Sequence, residues 1–336
     1  MALIIPFFIQ HRGCSHRCIF CNQWAATGVS EASGEHVEED LQQTIELWLS
    51  RSRTQTKTQV AFFGGSFTCL EESSQQRLLG IVAPYIKEGV ISSIRLSTRP
   101  DCISQDICSF LRDYGVETVE LGVQSLNDGV LSRSFRGHTS KHSRVAAALL
   151  AENGFELGIQ LMPGLPGEST SSFLKGVREV ISFHPDFIRL YPVIVLKDTG
   201  LAKLYNETPW IPLSMNKAIA LTRRARELFV KHGIKVVRMG LQPSEELEQQ
   251  VLAGPYHPAF GELVIARTWY LRARELLAAA GPGKTVTITI STRDQSAFIG
   301  PSKQNIKRLE ALPFGSHLAL ETDTTLERDQ FRYVVN

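Results

Sequence analysis

The sequence predicts an α/β fold in which buried parallel strands alternate with helices. Six short apolar runs are typical of strands buried on both faces, and they cover residues 3–9, 59–63, 93–97, 117–122, 155–161 and 186–191. The segments between them carry apolar residues three or four positions apart, which is typical of amphipathic helices. Repeated crossovers between parallel strands lead to a doubly wound sheet or to a (β/α) barrel. Both folds bind ligands at the carboxyl ends of the strands.

The helical spacing is clearest in four of the connecting segments. The apolar residues with this spacing are, segment by segment, Leu41, Ile45, Trp48 and Leu49; Leu78, Val82 and Ile86; Val145, Leu149 and Leu150; and Phe173, Val177 and Ile181. After residue 191 the pattern predicts a loop, a helix over 215–232, a strand over 234–239 and a short helix over 245–252. The turn residues at 254–258 predict a boundary, followed by a small α/β tail with helices at 264–280 and 305–311 and a strand at 285–291.

The composition is that of a globular protein able to build a large core. The 336 residues are 43% hydrophobic and 21% charged, and 36 basic side chains nearly balance 34 acidic ones, so the net charge does not require a nucleic-acid partner. No apolar run reaches the roughly 20 residues of a membrane span, and no export signal is evident. We therefore expect a cytoplasmic protein, with no membrane association, whose thiols stay reduced.

Three of the six cysteines form the strongest chemical signal. Cys14, Cys18 and Cys21 follow the first predicted strand with CxxxCxxC spacing, so three thiolates can reach one inorganic centre. A structural zinc site normally closes its tetrahedron with four protein ligands, which this triplet lacks unless His16 supplies the fourth. An iron–sulfur cubane can be held by three cysteines while one iron stays open to another ligand. The spacing therefore favours a cluster over zinc and over three incidental buried thiols.

The remaining cysteines carry no comparable pattern. Cys69, Cys102 and Cys108 form no compact ligand set, so we expect small buried residues at these positions rather than a second cluster.

A CxxxCxxC motif after the first strand of a β/α chain resembles the radical S-adenosylmethionine (SAM) superfamily. The resemblance implies a partial (β/α)6 TIM-like barrel with a small C-terminal α/β extension. It also implies a [4Fe–4S] cluster whose open iron binds SAM and whose electron cleaves SAM to a 5′-deoxyadenosyl radical. In this class of chemistry the protein orients the cofactor and excludes water.

Further positions of the SAM site follow from the same resemblance. Gly64, Gly65 and Ser66 resemble the element whose backbone receives the methionine amino group, although the last position departs from the usual glutamate. Gln124 and Ser97 are similar to residues that face the ribose hydroxyls, a contact that suits an amide able both to donate and to accept. Read without the resemblance, Gly-Gly is a turn, and Gln124 bonds to the backbone at a strand end.

Three more elements complete the cofactor site that the resemblance implies. Arg136 matches the arginine that clamps the SAM carboxylate, and a guanidinium fork fits a carboxylate well. Leu161 and Met162, at the start of a Met-Pro-Gly-Leu-Pro-Gly segment, would line the adenine pocket. Phe20 resembles the aromatic residue that flanks adenine, although a core aromatic would look the same.

Several segments resemble the radical SAM domain of the catalytic subunit of Elongator in particular. They are 97–101, 120–125, 136–139, 162–167 and 186–193. The first strand begins at residue 3, the first cysteine gap is short and the tail is short, so we expect a stand-alone protein without the acetyltransferase domain. The expected division is a radical SAM core over 1–240, with the partial barrel over about 1–200, and a C-terminal extension over 241–336.

Three functional hypotheses remain open. A radical SAM enzyme acting on RNA, with tRNA favoured by the resemblance, would place the basic residues between 222 and 238 at the barrel mouth. An enzyme acting on a porphyrin-like or other metabolite would show a closed pocket under the tail. A non-catalytic zinc or cluster module would show a fourth protein ligand. The first two imply an external electron donor of the flavodoxin or ferredoxin type.

Overall fold

The computed structural model describes residues 3–9, 11–14, 17–24, 37–51 and 57–336. The possible zinc ligand His16 lies outside these residues. The chain divides into two compact units, the first formed by residues 1–218 and 225–258 and the second by 219–224 and 259–336. No helix within the described ranges combines the length and the apolar character needed to cross a bilayer.

A seven-stranded parallel sheet forms the centre of the first unit. Its strands are β1 (Leu3–Phe8), β2 (Thr58–Phe63), β3 (Ser93–Thr98), β4 (Val116–Gln124), β5 (Glu156–Leu161), β6 (Phe187–Leu190) and β8 (Lys235–Met239). They lie side by side in the order β1-β2-β3-β4-β5-β6-β8, with every neighbouring pair parallel. The predicted α/β class and the partial TIM-like barrel are confirmed.

Helices connect these strands and cover the sheet. They are α1 (Val37–Arg51), α2 (Glu72–Lys87), α3 (Gln105–Asp113), α4 (Asp128–Arg133), α5 (Ser140–Glu152), α6 (Thr170–Ile181), α7 (Gly200–Glu207), α8 (Met215–Lys231) and α9 (Glu245–Gln250). The core lies where they meet the strands, and Ile5, Val60, Leu96 and Ile188 are fully buried there. Each such side chain contributes about 1.5–3 kcal/mol on burial.

The seventh strand extends the sheet beyond the six strands of the predicted barrel. The sequence predicts a strand at 234–239 but does not place it in the sheet, where it pairs with β6 and sets Arg238 beside Arg189. The short strands β7 (Val195–Leu196) and β9 (Val251–Ala253) form a separate antiparallel pair that the sequence pattern does not predict. The predicted helix at 245–252 therefore ends earlier, where β9 begins.

The second unit is a small α/β structure of its own. Its elements from residue 259 onward are α10 (Phe260–Ala280), β10 (Thr285–Ser291), α11 (Gln295–Ile299), α12 (Gln304–Glu310), β11 (His317–Asp323) and β12 (Phe331–Val335). The sheet has the order β11-β10-β12, with β11 parallel and β12 antiparallel to β10. Trp269, Phe298 and Ile288 lie in its core.

A partly buried carboxyl group ties together the loops that follow β4 and β5. Ser125 Oγ donates to Glu168 Oε1 at 2.8 Å, and the Gly164 amide donates to Glu168 Oε2 at 3.1 Å. Burial raises the pKa of Glu168 to about 7, although these hydrogen bonds oppose the shift. The proton on this carboxyl group therefore affects how firmly the two loops are held.

The titration of Glu168 predicts a pH-dependent stability. In the folded state the pKa of Glu168 lies above its ordinary value of 4.5. The protonated carboxyl group therefore contributes stability that is fully present below about pH 4.5 and is lost as the pH rises towards about 7. Between about pH 5 and pH 8 we expect the free energy of unfolding of the native protein to fall by roughly 2 kcal/mol relative to the Glu168→Gln variant. Urea unfolding across this range measures the difference.

The control for this titration is Glu152→Gln, at an exposed position near the end of α5. It should retain the pH dependence of the native protein. Parallel stability curves for the native protein and Glu168→Gln would contradict the assignment.

Candidate functional site

A cavity of about 520 Å³ opens where the strands of the first unit end. Its wall includes every predicted cluster and cofactor residue except Leu161 and Met162, namely Cys14, Cys18, Phe20, Cys21, Gly64, Gly65, Ser66, Ser97, Gln124 and Arg136. Residues more than a hundred positions apart in sequence therefore meet at one place.

Two glycines allow the loops after β1 and β2 to lie backbone against backbone. A Cβ on Gly65 would lie 2.2 Å from the carbonyl oxygen of Arg12 and 2.5 Å from that of Ile9. Gly13 has a φ of +70°, and a Cβ there would lie 2.2 Å from the carbonyl oxygen of Ser66. The Ser66 amide donates to the Arg12 carbonyl at 2.9 Å. This contact fixes the turn that leads into Cys14.

Cys14, Cys18 and Cys21 belong to the loop after β1, here called the cysteine loop, and all three line the cavity. Cys18 is buried, while Cys14 and Cys21 are partly exposed. Ser66 Oγ lies 3.4 Å from Cys14 Sγ. Burial, followed by the neighbouring Cys18 and Cys14, raises the pKa of the Cys21 thiol to about 12. The three sulfurs are therefore close enough to influence one another electrostatically, and an electrophilic metal centre would favour their ionised forms.

The predicted carboxylate clamp, Arg136, contacts the cysteine loop. Its Nη1 donates to Cys18 Sγ at 3.2 Å, and its Nη2 donates to the Gly122 carbonyl at the end of β4. Helix α4 positions it, and Asn127 caps that helix by accepting from the amides of Gly129 and Val130. Its predicted contact with the SAM carboxylate stays a prediction.

Arg99 is a second buried arginine of the cavity wall, which sequence reasoning missed. Its Nε and Nη2 donate to the two carboxylate oxygens of Asp101 at 3.0 and 2.7 Å. Burial alone would lower the pKa of Arg99, but Asp101, Cys18 and Cys14 raise it. Its position directly after β3 was the only signal in the sequence, because nothing local shows that the side chain is buried.

A neutral histidine lies near these two arginines. His138 is buried, and desolvation together with the charge of Arg136 lowers its pKa to about 3. It is therefore uncharged at physiological pH and does not add to the positive charge of the site.

Gln124 lies at the end of β4 with its backbone in the left-handed region, at a φ of +67°. A residue other than glycine rarely adopts this conformation, and such positions cluster at functional sites. Its Oε1 accepts from Gln160 Nε2 at 3.1 Å, and its carbonyl oxygen accepts from the Met162 amide at 2.9 Å. The amide group thus lines the cavity, and its predicted contact with ribose stays a prediction.

The residues predicted to surround adenine do not share one environment. Phe20 lines the cavity and packs in an apolar cluster with Ile19 and Met162. Leu161 is buried at the end of β5, and neither it nor Met162 belongs to the cavity wall. Of the three residues predicted to surround adenine, Phe20 is therefore the one that lines the described cavity wall.

A charged network surrounds Glu120, which lines the cavity together with Arg189 and Tyr191. Arg189 contacts both carboxylate oxygens of Glu120, with Nε 2.6 Å from Oε2 and Nη2 3.0 Å from Oε1. Arg95 Nη1 lies 3.4 Å from the same carboxylate, and Arg189 Nη1 donates to the Tyr191 hydroxyl at 3.3 Å. Burial alone would lower the pKa of Arg189, but Glu120 raises it.

Arg238 brings one positive charge of the predicted basic run to the cavity. The run contains Arg223, Arg224, Arg226, Lys231, Lys235 and Arg238. Of these, Arg238 is the residue found among the described residues of the cavity wall. Its Nη2 donates to Gln242, and no carboxylate of the described residues lies within 4 Å of it. Arg238 lies on β8 and not on the helix, and the other five basic residues are not among the described wall residues, so the cavity wall does not support the expectation that the basic helix faces the barrel mouth.

The expectation of three free thiols at Cys69, Cys102 and Cys108 is wrong for two of them. Cys69 and Cys102 form a disulfide, while Cys108 is free and buried. The two cysteines follow β2 and β3, which are neighbours in the sheet, so their Cα atoms lie 5.4 Å apart and within reach of a bond. A sequence separation of 33 residues concealed this proximity.

Comparison with protein families gives two matches along the chain. The profile of the Radical SAM superfamily matches residues 8–180, and that of the Radical_SAM C-terminal domain matches residues 185–269. The first match contains the whole cysteine loop and strands β2 to β5.

Curated relatives are tRNA-modifying or Elongator proteins. The tRNA uridine(34) acetyltransferase of Methanocaldococcus infernus is 31% identical over 139 residues, which are 40% of this chain and 26% of the relative. Elongator complex protein 3 of Mus musculus is 29% identical over 231 residues, which are 63% of this chain and 42% of the relative. The chain therefore spans less than half the length of either relative.

Solved structures share the fold at lower identity. The archaeal Methanocaldococcus infernus Elp3 with an N-terminal deletion aligns with a TM-score of 0.62 and 21% identity, covering 82% of this chain and 63% of that one. Coproporphyrinogen III oxidase from Escherichia coli aligns with a TM-score of 0.52 and 19% identity, covering 69% of this chain and 53% of that one.

The close contact between the two loops predicts a strong effect of Gly65→Ala. The added methyl group would collide with two backbone carbonyls that cannot move independently, so we expect a loss of about 1–3 kcal/mol in the free energy of unfolding. We also expect reduced iron incorporation by Cys14, Cys18 and Cys21. Denaturant unfolding and iron analysis after anaerobic reconstitution measure both effects.

Gly80→Ala is the matched control. It lies inside α2 with no atom within 4 Å of the added Cβ, and it should stabilise the protein by about 0.5–1 kcal/mol. Equal behaviour of the two variants would refute the close contact.

Proposed function

Because this chain belongs to the radical SAM superfamily, we propose that Cys14, Cys18 and Cys21 hold a [4Fe–4S] cluster and that SAM binds beside it. The chain is an enzyme of this class. The observation that carries the proposal is the meeting of all three thiols in one cavity, with Arg136 donating to Cys18. The proposed catalytic core is 1–240, and 241–336 is the proposed extension.

The donor set suits a cluster better than a single ion. Within the described residues no group of three or more His, Cys, Asp or Glu side chains is already spaced to hold a metal ion. A cubane binds each thiolate at a different iron, so its ligands need not converge on one point.

When bound, the cluster supplies the electron that cleaves SAM to a 5′-deoxyadenosyl radical. The chain's own residues bind and orient the cofactor. We propose that the backbone of Gly64, Gly65 and Ser66 receives the methionine amino group and that Gln124 and Ser97 contact the ribose. Arg136 would orient the carboxylate, and Phe20 would flank the adenine, with Leu161 and Met162 as the further apolar residues of that pocket.

We propose a large RNA, of the tRNA class, as the substrate. A volume of about 520 Å³ is in the range that accommodates one drug-sized ligand. The cluster and SAM would occupy much of it, which leaves room for the reacting part of a substrate rather than for a whole porphyrin. A single nucleotide turned out of an RNA meets that limit.

Two further observations favour RNA. Arg238 brings a positive charge without a carboxylate partner among the described residues, which suits a phosphate. The names of the curated relatives state tRNA uridine(34) as what they modify. An external electron donor of the flavodoxin or ferredoxin type and a cytoplasmic location complete the proposal.

Cofactor cleavage provides the primary test. After anaerobic reconstitution, the native protein should contain about four irons per chain and should form 5′-deoxyadenosine from SAM and dithionite. A variant with alanine at Cys14, Cys18 and Cys21 should lose both properties, because the cluster would have no ligands. Mass spectrometry of 5′-deoxyadenosine measures the reaction.

The matched control for that test is Cys108→Ala, which removes a buried free thiol outside the cavity wall and should retain both properties. Tightly bound zinc with no iron in the native protein would contradict the cluster assignment.

The substrate class is tested by presenting RNA intact and digested. Intact tRNA should accelerate 5′-deoxyadenosine formation and should yield a nucleoside of altered mass, because phosphate contacts anchor the long molecule. The same tRNA digested to nucleosides is the control and should have little effect. Stimulation by a metabolite extract freed of RNA, without stimulation by tRNA, would favour the small-molecule hypothesis.

A further inference from the structure

Two aromatic rings on the neighbouring strands β1 and β2 form part of the cavity wall. Phe8 and Phe63 are partners in the register of the two strands, and both line the cavity and are partly exposed. Their ring centroids lie 6.2 Å apart, with the ring planes tilted by 43°. Neither residue belongs to the set proposed to hold the cluster or SAM. Their exposed aromatic surface is therefore available to a second, flat ligand.

A guanidinium group lies across one of these rings. Arg189 Cζ is 5.6 Å from the ring centroid of Phe63, which is within the range of a cation–π contact. Glu120 holds its Nε and Nη2, and its Nη1 donates to the Tyr191 hydroxyl. The side chain is nevertheless 19% exposed, and it lines the cavity. A planar group that is fixed on a ring and retains accessible surface can stack a further ring.

The charges next to these rings balance one another. Glu120 and Glu156 face Arg189 and Arg95, so two carboxylates lie against two arginines. The aromatic side chains add no charge. This surface therefore suits an uncharged flat group rather than an anion. Nucleobases are groups of this kind, and they commonly stack on aromatic side chains and on arginine planes.

A positive charge lies one strand further along the sheet. Arg238 on β8 is the register partner of Arg189 on β6, and both residues line the cavity. The backbones of neighbouring strands are about 4.8 Å apart, so one small ligand can reach both side chains. No carboxylate of the described residues lies within 4 Å of Arg238. A neutral flat surface beside such a cation matches the base and the phosphate of one nucleotide.

We propose that Phe8, Phe63 and Arg189 form the surface on which the base of the substrate nucleotide stacks, and that Arg238 binds its phosphate. The inference rests on the proposed function, and it gives the RNA substrate a place in the cavity apart from the residues assigned to the cluster and SAM. The ligand class is a nucleoside monophosphate unit, recognised through the flat face of its base.

The test measures binding of radiolabelled uridine 5′-monophosphate to the reconstituted protein with saturating SAM, by anaerobic equilibrium dialysis without reductant. Ribose 5-phosphate lacks the base and should bind about tenfold more weakly, because the stacking contact is lost. Phe8→Leu should weaken binding of uridine 5′-monophosphate about tenfold and leave that of ribose 5-phosphate unchanged. Arg238→Gln should weaken binding of both ligands, because both carry a phosphate.

Phe7→Leu is the matched control for Phe8→Leu. Phe7 is the preceding residue of β1 and is also partly exposed, but its ring packs against Phe62 and it is not among the described wall residues. Successive side chains of a strand point to opposite faces, so this variant should bind both ligands as the native protein does. Phe8→Tyr keeps the ring and should also bind both ligands normally. The comparison of the two ligands on the native protein needs no variant and covers the case in which Phe8→Leu does not fold.

The outcomes separate this inference from the proposal it rests on. Uridine 5′-monophosphate that binds no tighter than ribose 5-phosphate, or equally well to Phe8→Leu and Phe7→Leu, overturns the stacking surface. Competition between uridine 5′-monophosphate and SAM also overturns it, and assigns the rings to the cofactor. In these cases a native protein that forms 5′-deoxyadenosine and alters tRNA retains the proposed function. Failure of the native protein to bind a cluster or to alter tRNA refutes the proposed function instead.

Discussion

The site depends on one close contact, in which the turn before Cys14 lies directly on the turn after β2. The amide of Ser66 bonds to the carbonyl of Arg12, and the absence of side chains at Gly13 and Gly65 allows the two backbones to meet. Since β1 and β2 are adjacent parallel strands, their following loops emerge at the same edge. Because the two loops are in contact, the position at which the cysteine loop begins is fixed by the pairing of β1 with β2.

The charged residues of the cavity wall are unevenly distributed around the cysteine loop. The cavity wall divides into a part near the cysteines, where Arg136 and Arg99 have one carboxylate between them, and a part where Glu120 is shared by two arginines. Among the described residues, Asp101 pairs with Arg99 alone in the first part. In the second, Arg95 also lies 3.5 Å from Glu156, so two arginines face two carboxylates, and Arg238 adds a further positive charge. Buried arginines without enough carboxylates are costly unless a ligand completes them, so this imbalance suits the anionic cluster and cofactor that we propose.

Local signals in the sequence predict the strands and the cluster cysteines. They do not predict features that depend on contacts between segments far apart in the sequence. The six apolar runs predict β1 to β6 to within a few residues because strands of a parallel sheet are buried on both faces, and the cysteine spacing is itself local. Strands β11 and β12 have partly exposed residues and lack that signature. The burial of Arg99 and the Cys69–Cys102 bond depend on adjacent strand ends, which no single segment reveals.

The disulfide has a consequence for how iron would be loaded. Only a thiolate binds iron, and a sulfur already bonded to another sulfur is not one. The bond removes Cys69, whose backbone lies against Gly13 of the cysteine loop, and Cys102 from the competition for metal, while Cys108 is fully enclosed. With the disulfide formed, Cys14, Cys18 and Cys21 are the free thiols of the cavity wall, so they are the ones available to the cluster that we propose.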